Sequence, residues 1–134
     1  MHYELHIARV YCKNYVANDG KWHHVVVTWN DKYSKVSVYI DGKLKPIYYH
    51  NQNKAGVITG KGALVIGQEQ DAYLERFDAR QCFQGNLTSF NMWDRVLTSD
   101  EISEHAKRYP SGEGNLIKWV DLVPLKSESV KYSC

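Results

Sequence analysis

The run Trp22-His23-His24-Val25-Val26-Val27-Thr28-Trp29, followed by Lys35-Val36-Ser37-Val38-Tyr39-Ile40-Asp41-Gly42-Lys43-Leu44, decides the fold. Val36, Val38 and Ile40 alternate with Lys35, Ser37 and Tyr39, which is the period of a half-buried strand. Asp41-Gly42 then interrupts the alternation. An Asp-Gly pair between such runs is a strong hairpin signal, because glycine takes positive φ at no steric cost. Val25-Val26-Val27 is dense in β-branched side chains, which pack well on a pleated surface, and it reads as a strand buried on both faces. Asn30-Asp31-Lys32 supplies the turn between the two runs.

Working outward, Tyr3, Leu5 and Ile7 alternate with Glu4 and His6 and predict a first strand. Asn18-Asp19-Gly20 is a turn. Residues 50–62 are polar, carry Gly56, Gly60 and Gly62, and read as loop. Ala63-Leu64-Val65-Ile66 predicts a short strand, and Phe83 to Trp93 a long one whose alternation slips near Ser89-Phe90, the mark of a bulge. Thr98-Ser99-Asp100-Glu101 fits a capping box, with Thr98 as N-cap and Glu101 at N3. A short helix follows to about Arg108, closed by Pro110 and Gly112, and no other segment reads as helical. Asn115 to Val120 and Ser129 to Tyr132 predict the last strands. Many short strands separated by turns indicate an all-β antiparallel sandwich or barrel with one short helix. Helix-length segments do not alternate with the strands, which disfavours a parallel architecture.

The 134 residues fit one domain. Net charge is +2 with both signs scattered, which argues against a nucleic-acid surface, where Lys and Arg cluster on one stripe. No apolar run approaches the length needed to span a bilayer. Met1-His2-Tyr3-Glu4-Leu5 lacks the basic and apolar regions of a signal peptide, so targeting information for an extracellular protein lies outside this chain. The three cysteines, Cys12, Cys82 and Cys134, stand far apart. They allow one disulfide with a free thiol, a bond to a cysteine elsewhere, or three buried thiols.

Between the two apolar runs lies an acidic segment. Glu69, Asp71, Glu75 and Asp78 fall within ten residues, with amide oxygens at Gln68, Gln70 and Gln81. Four close carboxylates repel one another unless a cation or the nearby Arg76 and Arg80 neutralise them. Calcium takes six to eight oxygens from such groups, and this loop offers several from one short piece of chain. The EF-hand pattern is absent.

These residues resemble the pentraxin family. The resemblance rests on Gly67-Gln68-Glu69-Gln70-Asp71, Phe77-Asp78, Gln81, Gly85-Asn86-Leu87, Asn91-Met92-Trp93-Asp94-Arg95-Val96-Leu97 and Ser99-Asp100-Glu101-Ile102. Asp19-Gly20-Lys21-Trp22-His23-His24 and Val38-Tyr39-Ile40-Asp41-Gly42-Lys43 are similar to pentraxin and laminin-G-like modules. The matches cover about residues 18 to 120. The resemblance implies a concanavalin or laminin-G-like jelly roll that binds Ca²⁺. Carried over by motif, the metal ligands are Glu69, Gln70 through its backbone carbonyl, Asp71, Asp78 and Gln81. It further implies a secreted or cell-surface protein that binds a phosphocholine-like, anionic or glycan ligand through calcium, with ring-like homo-oligomers in some members. The other expectation is a calcium-independent module that binds an extracellular protein.

Departures from the family pattern shape those expectations. The family supplies a further Asp-Asn ligand pair from an N-terminal segment with no counterpart here. Residues 1–134 are therefore expected to form a single pentraxin-like domain, the C-terminal portion of a divergent member, without its N-terminal strands. The family's H-x-C-x-[ST]-W motif here reads His24-Val25-Val26-Val27-Thr28-Trp29, with Val26 in the cysteine position. The usual disulfide of the family therefore cannot form.

Other chemistry matches poorly, and no enzyme is expected. Sandwich glycoside hydrolases carry E-x-D-x-E or E-x-D-x-x-E, but Glu69-Gln70-Asp71 is followed by Tyr73 and Leu74, with Glu75 one place too late. Gly56 to Lys61 has the wrong spacing for a phosphate loop. His23 and His24 face opposite sides of a strand and cannot easily share an ion, so they read as caps of its start. Trp29, Trp93 and Trp119 read as core. Asn86-Leu87-Thr88 is a glycosylation sequon inside the predicted long strand, where an acceptor is less accessible.

Overall fold

The computed structural model describes residues 2–5, 8–12, 19–30, 32–33, 35–49, 63–68, 72–78, 80, 82–108 and 112–122. Strands β1 (His2–Leu5), β2 (Ala8–Cys12), β3 (Val25–Asn30), β4 (Lys35–Ile40), β5 (Lys43–Lys45) and β6 (Ile47–Tyr49) precede helices α1 (Ser99–Lys107) and α2 (Trp119–Leu122). The described strands form two antiparallel sheets, ordered β1-β2-β6 and β3-β4-β5. Pro46 stands between β5 and β6, where the chain passes from one sheet to the other. Proline has no N–H to donate, so it is a natural place for a ladder to stop.

The β3–β4 pair carries the core. Val25 faces Ile40, Val27 faces Val38 and Trp29 faces Val36 across the ladder, so these side chains share one side of the sheet. Val36, Val38 and Ile40 are buried, as are Leu97 and Ile102. Asp41 and Gly42 both take positive φ, 52° and 75°, and close the β4–β5 hairpin as the Asp-Gly pair predicts. A Cβ on Gly42 would lie 3.2 Å from the Ala106 Cβ and 3.3 Å from the Ser103 Cα. That close approach lets α1 sit directly on the hairpin turn. Ile102 is fully buried, and the Tyr39 hydroxyl lies 3.4 Å from the Ser99 hydroxyl. The capping box forms as read: the Glu101 N–H donates to Thr98 Oγ1 at 3.2 Å, and the Thr98 N–H donates to Glu101 Oε2 at 2.8 Å.

Several expectations are corrected. β3 is not buried on both faces: Val25 is 40% exposed and Val27 42%. Residues 63–66 and 83–91 join no strand. In the second segment Gly85 at φ 152° and Ser89 at φ 55° interrupt the extended backbone, and Asn91 Nδ2 bonds the Ser89 carbonyl at 2.9 Å. The slip in alternation at Ser89 is thus a left-handed residue that ends pairing. Met92 is left with an isolated bridge to Ile117. Residues 115–120 form no strand, and the chain enters a second short helix, α2. Its start is fixed by Asn91 Oδ1, which accepts from the Gly114 and Trp119 N–H groups at 3.0 and 3.3 Å. Gly114 packs so tightly that a Cβ would strike the Met92 backbone and the Ile117 carbonyl. Trp29, Trp93 and Trp119 are half-buried rather than core. The strand expected at 129–132 and the loop at 50–62 lie outside the described residues, as does Ile7.

Candidate functional site

The acidic segment is a closed loop. Its base is one backbone bond, from the Phe83 N–H to the Gly67 carbonyl at 2.8 Å, and Gly67 turns there with φ 86°. The segment is therefore pinned at its ends, by this bond rather than by flanking strands. Inside it Ala72 and Glu75 form a bridge, and Leu74 and Arg76 hold positive φ of 55° and 57°. Two non-glycine residues in that region store strain, which concentrates at sites where function requires a fixed loop shape. Gln68 Nε2 donates to the Asp78 carbonyl at 2.7 Å and ties the two halves of the loop together.

Of the five expected calcium ligands, Asp78 is described. Glu69, Gln70, Asp71 and Gln81 lie outside the described residues. The Asp78 carboxylate accepts from the Arg80 backbone N–H at 2.9 Å, from Nε at 3.1 Å to both oxygens, and from Nη2 at 2.7 Å. The Arg80 guanidinium holds this carboxyl far below the usual range, at about 2. The Arg80 side chain is 89% exposed while that of Asp78 is 29% exposed. An ionised oxygen pair is thus held at the surface with both oxygens engaged by Arg80. Among the described residues no group of three or more His, Cys, Asp or Glu stands close enough to hold a metal ion.

A second charged cluster lies at the start of β3. His23 Nδ1 is 2.9 Å from Asp41 Oδ2, and Nε2 is 3.0 Å from Asp19 Oδ1. The Lys21 N–H donates to Asp19 Oδ1, and the His24 N–H donates to Asp41 Oδ1, each at 3.0 Å. With a carboxylate on each nitrogen the ring favours its doubly protonated form, and the His23 pKa is raised, first by Asp41 and then by Asp19. His24 differs from its neighbour. Its Nδ1 is buried without a hydrogen-bond partner and burial lowers its pKa. The expected role of the histidine pair as a strand cap therefore describes His23. The sequence reading missed its carboxylate partners. The signal was present as the Asp19–His23 spacing of four and as Asp41 in the hairpin turn, but only the fold brings Asp41 back to His23.

Asn86 stands in irregular chain and is exposed, not enclosed in a strand. No helix of the described residues is long and apolar enough to cross a membrane.

The antiparallel β fold, with its closed acidic surface loop and a helix capped onto its central hairpin, is consistent with a pentraxin-like module. The model of the Pentaxin family matches residues 1–130, and the chain belongs to that family, the pentraxins. It is 43% identical over 104 residues to neuronal pentraxin-2 of Cavia porcellus, covering 78% of this chain and 24% of that protein. Over 115 residues it is 41% identical to neuronal pentraxin-1 of Homo sapiens, covering 80% of this chain and 25% of that protein. A rat protein named for sushi, von Willebrand factor type A, EGF and pentraxin domains is 37% identical over 113 residues, which are 79% of this chain and 3% of that protein. The chain spans about a quarter or less of the length of these relatives.

Proposed function

We propose that this chain is a non-enzymatic module that binds an extracellular ligand through calcium. The observation that carries the reading is the ionised Asp78 carboxylate, presented on a loop closed at Gly67 and Phe83 and facing an 89% exposed Arg80 side chain. Glu69, Asp71 and Asp78 would supply the negative charge, and the Gln70 carbonyl and the Gln81 amide the neutral oxygens. Bound calcium supplies open coordination positions that phosphate or hydroxyl oxygens of a ligand can fill. The ligand class is therefore a phosphocholine-like head group or an acidic glycan. Family membership supports the same reading and an oligomeric assembly. A disulfide at Cys82 would fit an oxidising, extracellular setting.

A thermal melt with calcium and with a chelator, at fixed protein concentration, tests the reading. A ligand present at a hundred times its Kd, and bound by the native state alone, adds about 2.7 kcal/mol of stability. A clear rise in melting temperature with millimolar calcium is expected, and it should vanish in Glu69→Ala/Asp71→Ala. No shift in a folded sample sinks the reading. A second reading, a calcium-independent module for an extracellular protein, is favoured by the Arg80 pair, which already satisfies Asp78 without metal. Partner binding that survives Glu69→Ala/Asp71→Ala and chelation would select it.

A further inference from the structure

We propose that Asn86 is the acceptor of an N-linked glycan and that the Phe83 ring is the platform on which its first sugar rests. The inference relies on the extracellular reading, because the co-reactant is found in the secretory pathway. Asn86-Leu87-Thr88 is the one Asn-x-Ser/Thr sequence in the chain. A strand ladder would hold such an asparagine extended. Here the backbone is irregular from 83 to 91, Asn86 is exposed, and no hydrogen bond to a described residue engages its amide. Gly85, at φ 152°, turns the chain immediately before it.

Phe83 supplies the second observation. A Cβ on Gly85 would lie 3.1 Å from Phe83 Cζ and 3.3 Å from Cε1, so the ring is folded over the residue next to the acceptor. The ring is nevertheless 54% exposed, and Leu87 on the other side of Asn86 is 45% exposed. An aromatic ring has a negative face, and the C–H groups of a pyranose present a weakly positive one. A sugar on Asn86 would cover this apolar pair, which otherwise faces water.

The transfer is balanced as follows. Asn86 Nδ2 forms a bond to the anomeric carbon of an oligosaccharide carried on a lipid pyrophosphate. The bond from that carbon to the pyrophosphate oxygen breaks, and the lipid pyrophosphate leaves with the electron pair. The proton lost from the amide nitrogen passes to a base of the transferase.

The test expresses the full chain behind a cleavable secretion signal in a eukaryotic cell and weighs it before and after peptide N-glycosidase. One glycan is expected on the wild type and on Thr88→Ser, and none on Asn86→Gln or Thr88→Ala. Glycosylated protein should melt higher than the same protein after deglycosylation, and the difference should shrink in Phe83→Ala. Secreted wild-type protein without a glycan overturns the acceptor. An equal melting difference in wild type and Phe83→Ala overturns the platform. A native chain that is intracellular and unmodified, beside a glycosylated secreted one, overturns the modification in its own cell and places the fault in the extracellular reading.

Discussion

His23 shows how three side chains can fix the entry to a strand. Both ring nitrogens face carboxylates, and the pKa is raised above the ordinary 6.5. A group whose folded pKa is raised contributes stability that is complete below its unfolded pKa and is lost as pH rises through the folded value. The contribution of His23 is therefore full below about pH 6.5 and declines above it. Melting curves of wild type and His23→Gln should be furthest apart at pH 6 and converge as the pH is taken to 9. A gap that stays constant would mean that the ring acts only by shape. Arg80 poses a different question. It occupies the carboxylate that the proposed calcium site needs. An exposed pair of this kind is weak, so Arg80→Gln should tighten calcium binding by at most about five-fold in a calorimetric titration. Asp78→Asn should weaken it. Unchanged affinity in Arg80→Gln would show that the guanidinium does not compete.

At the scale of elements, α1 depends on its first turn. Thr98 and Glu101 exchange backbone bonds, and Arg95 grips the Glu101 carboxylate at 2.9 and 2.7 Å. Removing the cap in Thr98→Ala should cost about 1 kcal/mol in a denaturant melt. The Glu101 carboxyl is held at about 2, chiefly by Arg95. A depressed carboxyl contributes stability above its unfolded value, near 4.5, and loses it as pH falls toward 2. Glu101→Gln should therefore narrow the stability difference between pH 6 and pH 2.5, and an unchanged acid profile would rule out this fork as its source. This element was legible in the sequence because a capping box is local: four consecutive residues contain all of it. The Asp-Gly hairpin was legible for the same reason. Segment 83–91 was not. Its composition suits a strand, and nothing in it announces that Ser89 would turn left-handed to let Asn91 reach Gly114 and Trp119.

For the whole molecule, the antiparallel β class followed from periodicity and turns, and the family from short motifs spread over the chain. The exposure of Val25 and Val27 did not follow, because a β-branched run gives strand propensity without saying what covers it. The candidate calcium loop was legible as a motif. The Arg80–Asp78 pair was only half legible: the charges were visible, but which arginine met which carboxylate was set by the turn. The molecule also has regions of unequal strength. β3 and β4 share six residue pairs, whereas residues 114–119 are held by the Met92–Ile117 bridge and by the Asn91 and Asn115 side chains. Under native-state hydrogen exchange the Met92, Ile117 and Trp119 amides should open together and before the β3–β4 ladder. Equal protection of both would contradict that order.

Asn91 thereby gains a mechanical meaning. One amide group carries Ser89, Gly114 and Trp119 at once, and among the described residues no ladder beyond Met92 shares its burden. Within the described residues, tension that reaches Trp119 is borne first by that side chain and by the bridge beside it. The segment would peel away as a unit while the hairpin sheet stayed unstrained, so that a tug from a neighbouring domain or a tethered ligand is spent at this fastening.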